Sequence, residues 1–377
     1  MFEAVLQKVQ KEVAMISISR LTVSGLRARA VDVPVQPPLE TASAEIRSAP
    51  LVLVDLLTEE GVTGRSYVFC VTPLALAPMA RLVSNLGPLI EGDAVAPLAI
   101  EEKLQGRFRL LGPQGLTGMA LAAVDVAAWD ALAKAHDLPL VELLGGERRP
   151  IPAYASLRAM GLESVAEEAR GAVGSGFGAV KVRIGHPDVG RDVEVVRAVR
   201  SAIGESVDLM VDYNQVLPVP DAVSRAHALD YEGLYWIEEP TRADDFAGHA
   251  RISREARTRI QIGENWWGPH DMAKSLAAGA SDLAMPDVVK IGGISGWLRA
   301  VALAEAEGMP ASSHLYPEIS AHLLAVTPTR DRLEYLDLAG PILKEPLRIE
   351  DGHAVIPTSP GTGVEWEEES VRRYLVD

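Results

Sequence analysis

The spacing of apolar residues changes character twice along the chain. Residues 16–34 and 50–70 are rich in Val, Ile and Leu with partial alternation, and TEEGVTG (58–64) supplies a glycine-containing hairpin turn. Three antiparallel strands are the simplest expectation. From 72 to 144 the period becomes helical, most clearly in TGMALAAVDVAAWDALAKAHDLP (117–139), where His136 suits the last turn and Pro139 the stop. Strands followed by helices predict an α+β domain over 16–150. Beyond Pro150, eight short apolar runs alternate with helix-sized gaps: 151–157, 179–185, 209–214, 234–240, 260–265, 282–288, 309–314 and 333–338. Stretches such as VAEEARGAVGSG and VEVVRAVRSAIG between them are amphipathic at helical spacing. That alternation over 151–340 predicts a closed (β/α)8 barrel. The tail, 341–377, leaves the pattern and is expected to return to the first domain. The first 15 residues place Phe2, Val5, Leu6, Val9 and Val13 at helical spacing, but Glu3, Lys8, Lys11 and Glu12 interrupt them, unlike a secretory signal. This segment reads as a short amphipathic extension, with Met15 as an alternative start.

Most barrel strands end in a polar residue. Asp212, Glu238 and Glu264 follow one another at intervals of 26, with Asp287, His314 and Glu334 at further steps of 23, 27 and 20. One βα unit has this length, so these side chains recur at one level, at the strand ends where such barrels carry their chemistry. Three carboxylates there need a compensating charge, and an all-oxygen set favours magnesium or manganese over zinc. The alternative, that each caps a helix or meets an arginine, weakens when three consecutive strands repeat the pattern. Asp287 and His314 end neighbouring strands, where a carboxylate can orient an imidazole and raise its basicity. Lys181 and Arg183 are two apart on one strand, so they share a face and could attract an anionic substrate.

Composition narrows the classes. Thirty-six basic and 52 acidic residues give a net charge of −16, which repels a nucleic-acid backbone. The single cysteine, Cys70, cannot form an internal disulfide, which fits a cytoplasmic protein. No run of about 18 uncharged apolar residues predicts a membrane span. GAVGSGFGAVK (171–181) follows a helix and precedes a strand, the reverse of a dinucleotide fingerprint, so it is an αβ turn. Trp266 and Trp267 are expected to pack under a loop.

LMVDYNQ (209–215), WIEEPT (236–241), IQIGENWWGP (260–269), LAMPDVVKIGG (283–293), SSHLYPEISAHLL (312–324) and LEYLD (333–337) resemble the barrel motifs of the enolase superfamily, in its mandelate racemase branch. WDALAKAHDLPLVELLGG (129–146) resembles that family's capping domain. The resemblance spans about 18–377. It implies an α+β capping domain on a modified (β/α) barrel, and an enzyme that forms an enediolate by removing the proton α to a carboxylate. It further implies Asp212, Glu238 and Glu264 as magnesium ligands, with His314 as base and Asp287 as its orienting partner. Glu334 matches the acid on the substrate carboxylate, Lys181 and Ser156 match groups that hold it, and Asn214 matches a contact to the α-hydroxyl. Small carboxylate substrates and a homo-oligomer, octamer or dimer, are implied as partners.

One position departs from the pattern. Mandelate racemases carry Lys-x-Lys on the second barrel strand, and the second lysine is a base opposite the histidine; here the run is Lys181-Val182-Arg183. An arginine base would mean lowering a pKa of about 13.8 to near 7. One-base dehydration of a hydroxy acid or acid sugar therefore stands beside racemisation, and a non-catalytic binding protein stands behind both. The pocket positions point the other way. Leu39, Ile46, Phe69 and Val71 from the capping domain, with Leu315 and Leu336 from the barrel, suit an apolar or aromatic 2-hydroxy acid better than a sugar acid. Glu40, Glu45 and Arg47 leave room for polar contacts on the same loop.

Overall fold

The computed structural model describes residues 21–42 and 44–376, so the N-terminal extension and Met15 lie outside the described residues. Strands β1 (Val23–Glu40), β2 (Glu45–Thr58) and β3 (Thr63–Phe69) form an antiparallel sheet in that order. The β2–β3 turn carries Gly61 at φ 82°. Helices α1 (Leu76–Ile90) and α3 (Gly115–Ala135) cover the sheet, and α2 (Pro97–Phe108) packs against them. α3 lies close because its buried face is mostly alanine, including Ala120, Ala123, Ala127 and Ala131. Gly64 is needed at this contact, since a Cβ there would stand 1.9 Å from the Ala127 carbonyl oxygen.

By length and composition α3 could cross a bilayer, with a mean hydropathy of 1.4 over its most apolar window, which qualifies the sequence expectation. Yet 67% of that window is buried inside the protein. Its Asp125 bonds Ser295 of the barrel through Oγ at 2.5 Å and the amide at 3.0 Å, and Trp129 donates to the same hydroxyl. It is a core helix at the domain seam.

The barrel strands are β4 (Ile151–Ser156), β5 (Ala179–Arg183), β6 (Asp208–Asp212), β7 (Trp236–Glu238), β8 (Ile260–Ile262), β9 (Leu283–Ala284) and β10 (Leu333–Tyr335). All neighbours pair in parallel, and β10 returns to β4. The expected seventh strand is reduced to single bridges, Ala311 to Ala284 and Arg330, and His314 to Asp287. Pro286 and Pro310 have no amide hydrogen to donate, which interrupts the ladder. Tyr154, Ala179, Met210, Trp236 and Leu283 form a separate buried cluster of strand residues.

The tail does two things. β11 (Arg348–Glu350) and β12 (His353–Val355) form a hairpin whose second strand pairs antiparallel with the start of β4. The last helix, α4 (Glu368–Tyr374), then reaches the capping sheet, where Glu368 pairs with Arg29 at 2.7 Å.

Candidate active site

Register builds the site. Arg183 on β5 is level with Asp212 on β6, and Asp212 is level with Glu238 on β7. Short parallel strands therefore place three ionisable side chains side by side at the barrel mouth. Glu264 follows β8 by two residues, after Gly263. A Cβ at Gly263 would meet the Trp266 ring at 2.8 Å, so Trp266 packs under this loop.

Lys181 is the centre of the arrangement. Its Nζ lies 2.7 Å from Glu238 Oε1, 2.9 Å from Glu334 Oε1 and 3.7 Å from Asp212 Oδ2, and 5.6 Å from the Tyr154 ring centroid. Burial works against its charge, but these carboxylates outweigh burial and hold Lys181 protonated. Asp212 accepts the Asn214 amide at 2.7 Å and its side-chain amide at 2.9 Å. Burial pushes the Asp212 and Glu238 carboxyls upward, helped by the charges of neighbouring carboxylates and opposed by Lys181. Glu334 goes the other way: against burial, Lys181 and His314 bring it down to about 2.

His314 Nδ1 stands 2.8 Å from Asp287 Oδ2, while Nε2 stands 3.1 Å from Glu264 and 3.9 Å from Glu334. Burial alone would lower its pKa; Glu264, Asp287 and Glu334 together raise it. Arg183 is spent differently. Its guanidinium donates to the Leu157 carbonyl at 2.7 Å and to Ser156 Oγ at 3.3 Å, both neutral. Lys181 thus pairs directly with carboxylates at the mouth, whereas Arg183, level with Asp212, directs its hydrogen bonds to neutral acceptors and acts on Asp212 and Glu334 only through its charge.

Among the described residues, no three acidic or imidazole groups stand gathered at metal-ligating distances; Lys181 and His314 occupy the carboxylates instead. The donor set nonetheless fits a hard dication. Asp212 and Glu238 are buried, under-compensated oxygen donors, and Asn214 Oδ1 beside them is buried without a hydrogen-bond partner.

Leu39 and Ile46 face each other across the β1–β2 hairpin, and Leu39, Phe69, Leu315 and Leu336 are buried. Val71 is 54% exposed at φ 62°. Glu40 accepts the Met160 amide, and Glu45 pairs with Arg47. A cavity of about 360 Å³ lies between Glu40, Glu45, Met160 and His186. A larger one, about 970 Å³, lies between α2, α3 and the loops after β8 and β9, and none of the expected site residues lines it.

Sequence reasoning missed a further polar chain. Lys290 Nζ donates to Asn265 Oδ1 at 2.6 Å, and Asn265 Nδ2 donates to Glu239 at 2.8 Å and to Glu264 at 2.9 Å. The doublet Glu238-Glu239 was the available signal: on a strand one of the two must turn from its neighbour. Glu239 is buried at φ 34°, and Asn214, Gln215, Leu315 and Tyr316 are also left-handed. Such angles in non-glycine residues concentrate where a site fixes the backbone.

Residues 24–145 match the family described as mandelate racemase / muconate lactonizing enzyme, N-terminal domain, and residues 164–370 match enolase C-terminal domain-like. The chain belongs to the enolase superfamily, in this mandelate racemase branch. Within the superfamily it is similar to a crystallised enolase from Bradyrhizobium complexed with magnesium and mandelic acid. Those two chains are 44% identical with a TM-score of 0.93, over 96% of this chain and 100% of that one. It is 34% identical to the 3,6-anhydro-alpha-L-galactonate cycloisomerase of Streptomyces coelicolor, over 86% of this chain and 91% of the relative. The L-talarate/galactarate dehydratase of Salmonella typhimurium is 31% identical over 70% of this chain and 67% of its own length. Superfamily members this similar include isomerases and hydro-lyases, so the family admits both reactions.

Proposed function

We propose that this chain is a magnesium-dependent enzyme that removes the proton α to the carboxylate of a 2-hydroxy acid, with His314 as its base. The observation that carries the proposal is the imidazole itself, bonded through Nδ1 to Asp287 with Nε2 turned to Glu264. Asp287 fixes the tautomer that leaves Nε2 able to accept a proton. Asp212, Glu238 and Glu264 would hold magnesium, or manganese in its place. Held there, such an ion would supply positive charge that stabilises an anionic carboxylate substrate.

The remaining residues act on the same carboxylate. Lys181 is already protonated, so an arriving anion competes with Glu238 and Glu334 for it. As Lys181 is drawn away, Glu334 loses the largest of the charges that hold it down, and the arriving carboxylate raises it further, toward the protonated form its role as acid requires. Asn214 offers its amide to the α-hydroxyl. Ser156 is held beside Arg183, whose guanidinium donates to it and to the Leu157 carbonyl, and a guanidinium is too weak an acid to serve as a base near neutral pH. Only one face of the α-carbon therefore meets a base.

Racemase-like chemistry on an apolar 2-hydroxy acid is favoured by the aliphatic positions Leu39, Ile46, Leu315 and Leu336, and by the mandelic acid bound to the Bradyrhizobium relative. The second reading, dehydration, is favoured by Arg183: His314 takes the α-proton and the β-hydroxyl leaves as water. Proton exchange in D2O with magnesium separates them. One mandelate enantiomer should exchange its α-proton, and His314→Asn should slow that by a factor on the order of 10³. Keto-acid formation from a sugar-acid library selects dehydration. Absence of exchange, of product and of magnesium binding by calorimetry would leave a binding protein.

A further inference from the structure

The residue after His314 begins an unusual turn. Leu315 and Tyr316 both sit at φ 48°, left-handed angles that non-glycine residues keep only when their surroundings fix them. The barrel supplies part of the fixation: the Leu315 amide donates to Glu334 at 3.0 Å, and its carbonyl accepts the Ser320 hydroxyl at 2.8 Å. The rest comes from the other domain. Tyr316 Oη accepts the Phe69 amide of β3 at 3.0 Å. Phe69 ends that strand, where an edge amide would otherwise be buried without an acceptor. Two residues back on β3, Tyr67 packs on Tyr316 with the rings tilted by 41° and their centroids 5.0 Å apart, and it donates its hydroxyl to Glu318 at 2.8 Å.

Tyr67, Tyr316 and Glu318 are all buried. Burial pushes the Glu318 carboxyl up to about 7, with Asp337 adding to it. An apolar residue would fill this seam at less desolvation cost if packing were the sole need. The polar groups instead tie the last turn of β3 to the loop that presents the base, which continues through His314 to the Asp287 bridge.

We propose that Tyr67, Tyr316 and Glu318 are positioning residues for His314, through which the capping sheet sets the left-handed turn that holds the imidazole against Asp287. The proposal rests on the reading of His314 as the base. It gives the capping domain a part in acid–base geometry as well as in closing the pocket.

The test uses the full chain with saturating magnesium, labelled with 15N-histidine, and follows the ring Nδ1–H signal that disappears in His314→Asn. In Tyr316→Phe, Tyr67→Phe and Glu318→Leu that proton should exchange with water about tenfold faster or more, as expected when one buried hydrogen bond of a support is lost. Glu318→Gln keeps a carbonyl acceptor for Tyr67 and should restore the wild-type rate. Exchange within about twofold of wild type in the folded variants overturns the proposal, being less than such a bond contributes. Acceleration that Glu318→Gln does not reverse also overturns it, because general loosening of the seam would then suffice. If Tyr316→Phe does not fold, Tyr67→Phe and Glu318→Leu carry the decision. A wild-type spectrum in which His314→Asn removes no protected ring signal has a different meaning: the His314–Asp287 pairing, and with it the base, is wrong.

Discussion

Two buried carboxylates, one in each domain, are treated in opposite ways. Asp55 in the capping sheet is met by Arg27 at 2.7 Å, Arg29 at 3.2 Å and Arg65 at 3.4 Å, and by the Trp366 indole at 2.7 Å. Asp212 at the barrel mouth is equally buried, but its nearest cation, Lys181, stands at 3.7 Å and serves Glu238 and Glu334 first. Where a carboxylate joins strands β1 to β3 to the tail, the chain surrounds it with its own donors. Where chemistry is expected, the charge is left under-compensated, and burial with neighbouring carboxylates pushes the group upward. On the proposed reading an incoming cation would complete the second site, whereas Asp55 already has its donors.

The sharpest way to break this contrast is to remove one charge from each site. Asp212→Asn should lower α-proton exchange by a factor on the order of 10³ and weaken magnesium binding, while leaving metal-free melting unchanged or slightly raised. Asp55→Asn should do the reverse, costing about 2 kcal/mol of stability in urea titration because the three arginines lose the buried carboxylate they share, although Arg29 keeps Glu368 and Arg65 keeps Glu365. If the two variants lose stability equally, the barrel carboxylate is structural and the contrast fails.

A smaller effect sharpens it through pH. Asp125 and Glu318, at the seam between the domains, are each pushed up to about 7, chiefly by burial. The folded protein then binds more protons than the unfolded chain between about 4 and 7, so their contribution is present at low pH and lost as pH rises through 7. His322, lowered to about 3 by burial, acts in the opposite sense below about 6.5. Metal-free melting temperature should therefore fall most clearly between about pH 5 and 7, partly offset by His322 at the lower end, and level off above about 7. Glu318→Gln should remove up to about 1.4 kcal/mol per pH unit of that slope. Magnesium should raise the curve by mass action at the upper end, where the carboxylates are ionised. An unchanged slope in Glu318→Gln would show that this group titrates normally.

The contrast also explains what was legible in the sequence. The regular 26-residue steps exposed Asp212, Glu238 and Glu264, because one βα unit has a nearly fixed length and returns the chain to the same level. His314 and Asp287 were legible for the same reason. The chain Glu239, Asn265 and Lys290 was not, since its geometry depends on a left-handed residue at 239 that no periodicity announces. Tyr67 and Glu318 are 251 residues apart, and neither belongs to a repeating pattern. The seventh strand was placed by its spacing, but its loss of a ladder depended on a proline in each of the two neighbouring runs, Pro286 and Pro310, neither of which can donate an amide hydrogen. The hairpin of β11 and β12 against β4 is a long-range pairing of short segments, which composition does not encode.

The smallest expected effect concerns Arg183, the mouth cation whose partners are neutral. In Arg183→Lys, one ammonium replaces a planar fork, so it cannot hold both Leu157 O and Ser156 Oγ as the guanidinium does. The new amine starts near 10.4 and needs a neighbouring positive charge to come down toward neutrality. Lys181 is on the same strand, but Glu238 and Glu334 cancel most of its charge, so the depression is partial. Only a minor fraction of the new lysine will be neutral at pH 7, rising with pH. Exchange of the second mandelate enantiomer should accordingly appear at about tenfold over wild type, growing from pH 7 to about 9. Circular dichroism with each enantiomer in D2O, followed by mass analysis of the α-position, reads it directly. Should the folded, magnesium-binding variant leave that enantiomer untouched across the whole range, β5 does not reach the opposite face of the α-carbon. The one-base dehydration reading would then stand ahead of racemisation.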